Sequence, residues 1–167
     1  DSFLNHQIDV EMLDKMADEF YRLYKDDKIT RILTIDASGI AVAVPIAQRF
    51  HVPVVFAKKA KSKNIGEGVY TSHVHSYTYN KDLMVTVSKD YLNEDDHILI
   101  VDDFLANGLA ADGLIDITNQ SGAKIVGLGI CVEKLFQGGG EKLRKQGYRV
   151  ESLAKIKSFD NNKVNFE

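Results

Sequence analysis

The stretch ILIVDDFLANGLAADG, from Ile98 to Gly113, joins two chemistries that repel each other. Four apolar residues lead into adjacent carboxylates, Asp102 and Asp103. Behind them a short loop, Leu105-Ala106-Asn107-Gly108, opens into a segment of helical composition. Backbone N–H groups at a helix start lack partners within the helix and sit at the positive end of its dipole, so they attract phosphate. Small side chains and Gly108 let an anion approach that backbone closely. Ionised aspartates only accept hydrogen bonds; they repel phosphate but suit a pair of hydroxyls. A ligand with a phosphate at one end and a vicinal diol close by satisfies both features, and ribose 5-phosphate is such a group. The local pattern leaves two other readings open: solvated loop carboxylates, or a Mg²⁺ site like that of a phosphoryl-transfer receiver.

These residues need elements to hold them. Val10, Leu13, Ala17, Phe20 and Tyr24 recur at helical spacing, which predicts a helix from Asp9 to Tyr24 with Asp9 as its N-cap. Ile29 to Ile35 is rich in β-branched residues and predicts a strand ending at Asp36-Ala37-Ser38-Gly39. The following IAVAVPIAQRF has helical composition, with Pro45 expected to kink or break it. VVFA predicts a buried strand closed by Lys58-Lys59. Residues 60–71 show no period and predict a long functional loop. SHVHSYTY and LMVTVS predict two antiparallel strands around Asn80-Lys81-Asp82. Ile98 to Val101 and KIVGLGICVEK predict further buried strands, with a helix between them ending near Gly122. A short helix in GGGEKLRKQG and final strands in YRVESLAKI and KVNF complete the chain. Apolar strands alternating with helices predict an α/β fold around a mainly parallel sheet flanked by helices. Ligands in such sheets bind beyond the carboxyl ends of the strands, near a change in strand order. Four polar clusters should then share one rim: Asp36 to Gly39, Lys58-Lys59, Asp102-Asp103 and Glu133-Lys134.

Composition narrows the classes. The 167 residues are expected to form one domain, 1–167, and are 44% hydrophobic. A net charge of −3 from 21 basic and 24 acidic residues gives no basic excess for nucleic acid. The single cysteine, Cys131, suits a reducing compartment, and no apolar run approaches a membrane span. A cytoplasmic protein is expected. The chain opens at Asp1 rather than methionine, so the N-terminus is expected to be incomplete.

The stretch Ile98–Gly113 resembles the phosphoribosyl pyrophosphate (PRPP) motif of type I phosphoribosyltransferases: an apolar strand, two acidic residues and a small-residue loop. Asn107, Leu109 and Ala110 stand where that motif often carries Thr or Gly, which moves the expected phosphate contacts from side-chain hydroxyls to backbone N–H groups. DSFLNHQID, IDASGIA, VPVVFAKK, HILIVDDFLANG and GICVEKLFQ follow in the order of the bacterial xanthine-using branch of this family, across essentially the whole chain. The resemblance implies a purine-salvage homodimer of type I phosphoribosyltransferase fold. Its reaction joins xanthine and PRPP, with Mg²⁺ bound through PRPP near Asp102 and Asp103 and with no dedicated side-chain cage.

The same resemblance assigns roles residue by residue. Ala106, Asn107, Gly108, Leu109 and Ala110 would take the 5-phosphate, and Asp102 and Asp103 the ribose hydroxyls. Ser38 and Gly39 lie in the matching pyrophosphate loop, which in the family often holds a strained peptide; Lys58 and Lys59 would add positive charge there. Lys134 would contact the exocyclic oxygen of the purine, and its structural alternative is an ion pair with Glu133. Asn5 would meet xanthine from a hood formed by the N- and C-terminal segments. Phe104 and Phe136 are candidates to stack on the base, or core residues. A mobile loop from Ala60 to about Asn80 would close the site, with Tyr70, Ser76 and Tyr77 as contacts. His73 and His75 share a strand face without an evident third metal ligand, which favours a structural or surface role. The sequence leaves two alternatives: a guanine- or hypoxanthine-preferring transferase, and a non-catalytic PRPP- or purine-sensing regulator of the same fold.

Overall fold

The computed structural model describes residues 7–59, 67–76, 81–160 and 163–167. The elements in chain order are α1 (Val10–Tyr24), β1 (Arg31–Ile35), α2 (Ser38–Phe50), β2 (Val54–Lys59), β3 (Val69–Ser76), β4 (Lys81–Ser88), β5 (His97–Leu105), α3 (Leu109–Ser121), β6 (Lys124–Lys134), α4 (Gly139–Lys145), β7 (Val150–Asp160) and β8 (Lys163–Phe166).

Helix α1 begins where the spacing predicts: the Asp9 carboxylate accepts from the Met12 N–H at 3.0 Å, and Leu13, Ala17, Phe20 and Tyr24 are buried. Helix α2 runs on through Pro45. The expected break is absent because Val42, Ala43, Ile46 and Ala47 bury the face on both sides of the proline, and packing outweighs one lost backbone bond.

The eight strands form one sheet in the order β3-β4-β2-β1-β5-β6-β7-β8. β2, β1, β5, β6 and β7 are parallel; β4 joins β2 antiparallel, β3 pairs with β4, and β8 closes the far edge antiparallel to β7. Apolar clusters cover both faces. One gathers Leu33, Ile98, Ile100 and Ile130 with Leu114 and Ile117 of α3, and the other packs Phe20, Tyr24, Val42 and Ile46 against Ile32, Leu99 and Val101. The chain leaves β1 toward β2 on one side and leaves β5 toward β6 on the other. The change in strand order therefore falls between β1 and β5, where a crevice opens beyond the strand ends.

Candidate active site at the strand ends

The acidic pair belongs to the sheet. β5 continues to Leu105, so Asp102 and Asp103 are strand residues; the expected end at Val101 lies four residues too early. Asp102 pairs with Ile130, and Phe104 with Val132, so β6 holds this stretch in register beyond its apolar part. Asp102 is 8% exposed. Its Oδ1 accepts from the Asp103 N–H at 3.0 Å, and the Asp103 Oδ1 accepts from the Phe104 N–H at 3.0 Å. Burial, with the Asp103 charge beside it, pushes the Asp102 carboxyl well above the usual aspartate range; Lys59 opposes that rise. The Cys131 thiol beneath is pushed up to about 12 by burial and the same two carboxylates, so it carries no reactive thiolate.

Past Leu105 the loop turns into α3. Gly108 caps the helix with φ 87°, a left-handed conformation that side chains resist, and no side chain caps the helix from that position. The Asn107 Oδ1 instead accepts from the Leu109 N–H at 3.1 Å. A neutral oxygen thus occupies one of the helix-start donors that an anion would seek. Leu109 and Ala110 form the first turn of α3, and a small pocket runs along Asp102, Phe104 and the backbone from Leu105 to Ala110.

Across the crevice, the Asp36–Ala37 peptide is cis, and Ser38 and Gly39 open α2 rather than sitting in a separate loop. Gly39 brings α2 against Asp102: a Cβ there would lie 3.1 Å from the Asp102 Oδ1 and collide with the Thr34 hydroxyl. That hydroxyl is buried and has no hydrogen-bond partner among the described residues. The pleat separates the two lysines that end β2. The Lys59 N–H donates to the Asp36 Oδ1 at 3.1 Å, and its charge is felt at Asp102. Lys58 is on the opposite face, lining a groove with Phe56, Arg31 and Tyr91.

At the end of β6, Glu133 is 1% exposed and is held by Arg144 through two bonds of 2.7 Å. Burial alone would raise its pKa, but hydrogen bonds from Arg144 and Ser152 hold it below the usual glutamate range. The expected alternative of a Lys134–Glu133 pair is absent because Arg144 fills that role. The Lys134 Nζ lies 5.3 Å from the centre of the Phe104 ring. Phe136 is 51% exposed, not core, and meets Phe159 edge-on at 5.7 Å. Phe104 packs half-buried at the margin of a core cluster. Sequence reasoning missed Phe159; its only signal was an aromatic residue in an otherwise polar strand end.

Of the expected loop contacts, Tyr70 and Ser76 lie on β3, which begins at Val69 inside the expected loop. Tyr70 is tied to the body, its hydroxyl donating to the Leu92 carbonyl at 3.3 Å. Ser76 and His75 end β3, and His73 is exposed on it; no cluster of three His, Cys, Asp or Glu residues that could hold a metal occurs among the described residues. Asn5, Tyr77 and residues 60–66 lie outside the described residues.

Known proteins share the sequence and the fold. A family model described as the phosphoribosyl transferase domain matches residues 1–166. The chain is 54% identical over 167 residues to a xanthine phosphoribosyltransferase of Finegoldia magna, covering 100% of this chain and 88% of the relative. It is 52% identical over 164 residues to a xanthine phosphoribosyltransferase of Staphylococcus aureus, covering 98% and 85%. Among solved structures, an adenine phosphoribosyltransferase from Thermoanaerobacter pseudethanolicus superposes with a TM-score of 0.78 at 22% identity, covering 89% of this chain and 83% of that one. That enzyme from Giardia lamblia, complexed with 9-deazaadenine, gives 0.76 at 24% identity, covering 89% and 81%. The likeness of fold and the whole-length identity converge with the strand-end acidic pair: this chain belongs to the phosphoribosyl transferase domain family.

Proposed function

We propose that this chain transfers 5-phosphoribose from PRPP to N9 of xanthine, releasing pyrophosphate and forming xanthosine 5′-monophosphate. The observation that carries the reading is the continuity of the Asp102-Asp103 strand end with the Gly108-capped helix start at the change in strand order. It offers hydroxyl acceptors and phosphate donors on one stretch of backbone. The whole-length identity to xanthine phosphoribosyltransferases supports the choice of base.

Each part of the substrates has a matching part of the crevice. The 5-phosphate goes to the backbone of Ala106, Asn107, Gly108, Leu109 and Ala110, displacing the Asn107 oxygen from the Leu109 N–H. The ribose hydroxyls go to Asp102 and Asp103. Both side chains present oxygens to those hydroxyls, with Asp102 the more deeply buried of the two. Pyrophosphate goes to the start of α2 at Ser38 and Gly39, with Lys59 beside it, while Lys58 faces the groove on the other side of the sheet. The purine goes to Lys134, Phe104 and Phe136, with Asn5 as a further contact. An ammonium selects an oxo group over the amino group of adenine. As the C1–oxygen bond to pyrophosphate breaks and the C1–N9 bond forms, positive charge develops on the sugar. The Asp103 carboxylate stabilises that charge, and positioning supplies most of the acceleration. No described side chain stands as a general base for N9, and xanthine is an acidic purine that needs little help.

Two adjacent carboxylates beside a phosphate site fit Mg²⁺, which keeps its waters and takes substrate oxygens in preference to an all-protein cage. Bound through PRPP near Asp102 and Asp103, it would neutralise charge on the leaving group. The acting species is a homodimer, which sedimentation at twice the chain mass tests; a monomer under assay conditions would refute it. The reading itself is tested by pyrophosphate release from PRPP and Mg²⁺ with each purine in turn. Xanthine should be the fastest. Faster turnover of guanine would overturn the specificity, and no turnover of any purine would overturn the reaction.

A further inference from the structure

The phosphate loop carries no charge of its own. Ala106, Asn107, Gly108, Leu109 and Ala110 are all neutral, and the first acidic group of α3, Asp112, sits in the helix's first turn. A phosphate held on this backbone therefore meets a nearby carboxylate with no cation from the same segment.

Helix α4 supplies that cation. It is seated against the loop from two directions. The Gly139 N–H donates to the Ala106 carbonyl at 3.1 Å, and a Cβ on Gly139 would lie 2.7 Å from the Gly108 nitrogen. On its other side Arg144 is clamped to buried Glu133 by two bonds of 2.7 Å. Between these anchors Lys142 reaches the loop. Its Nζ lies 3.4 Å from where a Cβ on Gly108 would be, and it contacts the Asp112 Oδ2 at 2.5 Å. Its side chain is 41% exposed, so the ammonium stays open to a ligand.

We propose that Lys142 is the cationic member of the 5-phosphate site, holding its ammonium beside Gly108 for the phosphate that the loop backbone binds, with Asp112 keeping it in place when the site is empty. The proposal rests on the phosphoribosyl reading above and adds to it a residue outside the PRPP stretch. It makes α4 part of substrate recognition and gives its two opening glycines a use: a Cβ on Gly139 would strike the loop backbone, and one on Gly140 the Glu133 carboxylate, so both let the helix seat where Lys142 reaches the loop. It also gives the enzyme a means of preferring phosphorylated ribose over ribose through charge, which backbone donors alone do weakly.

Steady-state kinetics and calorimetric titration with ribose 5-phosphate test it on Lys142→Gln, Lys142→Arg, Asp112→Asn and the double variant Lys142→Gln/Asp112→Asn. Loss of one charge-assisted contact should raise the KM for PRPP and the Kd for ribose 5-phosphate by about tenfold or more in Lys142→Gln, with the KM for xanthine unchanged. Lys142→Arg should recover most of the loss. The double variant should remain impaired. Full recovery in the double variant would overturn the proposal, because Lys142 would then serve only to cancel Asp112. Wild-type values in Lys142→Gln, or an equal rise in both Michaelis constants, would overturn it too. Should the wild-type chain turn over no purine, the reaction reading fails, while the ribose 5-phosphate titration still decides the role of Lys142.

Discussion

Asp102 and Asp103 are neighbours in sequence with different electrostatic settings, and that difference can be measured. Asp102 is buried with a raised pKa, so the native state holds its proton at pH values where the unfolded chain has lost it. The unfolded state then binds fewer protons, and stability falls as pH rises from the ordinary aspartate range through the native value. Asp102→Asn lacks this loss. Its melting temperature should exceed that of the wild type by several degrees at neutral pH, and the gap should close near pH 3–4. A constant gap across that range would show that Asp102 is not held protonated. The division of the crevice predicts a second contrast. Asp103→Asn should raise the KM for PRPP about tenfold and leave that for xanthine nearly unchanged, whereas Lys134→Ala should do the reverse. Initial-rate measurements with each substrate varied would separate the two; parallel changes would refute the division.

Helix α4 shows how a short element can carry weight through its anchors. Arg144→Met leaves Glu133 buried without its cation, which should cost about 2–3 kcal/mol once the partial exposure of Arg144 is allowed for. Urea unfolding should show that loss as a lower midpoint with unchanged slope. How much of this was legible beforehand varies by element. The amphipathic period of α1 and the β-branched runs of β1 and β6 placed the core well, since burial writes itself into composition. Strand ends did not show. Lys58-Lys59 and Asp102-Asp103 read as terminators because charged residues are poor strand formers, yet neighbouring strands hydrogen-bond them into the sheet. The pleat that divides Lys58 from Lys59 follows from that continuation, so one role for both lysines was not recoverable from order alone. The Glu133–Arg144 clamp was equally hidden, since eleven residues separate its halves. What local pattern did reveal was the acidic pair followed by a helix start, because both features lie on one continuous backbone.

For the molecule as a whole, metal dependence and stability should come apart. The described residues hold no side-chain metal cage, so chelation with EDTA should abolish turnover while leaving the melting temperature within about a degree of its untreated value. A large drop would reveal a structural ion. The sheet order also bears on how the protein is made. β1 lies between β2, its near neighbour in sequence, and β5, where Arg31 pairs with Ile98. During synthesis, β1 and β2 emerge long before β5, leaving Ile32 and Leu33 on a strand with one unpaired edge. The crevice at the change in strand order lies on that seam, which closes only when β5 pairs with β1. Ribosomes stalled before His97 should therefore release nascent chains that bind holdase chaperones, and those stalled well past Leu105 should release chains that resist protease.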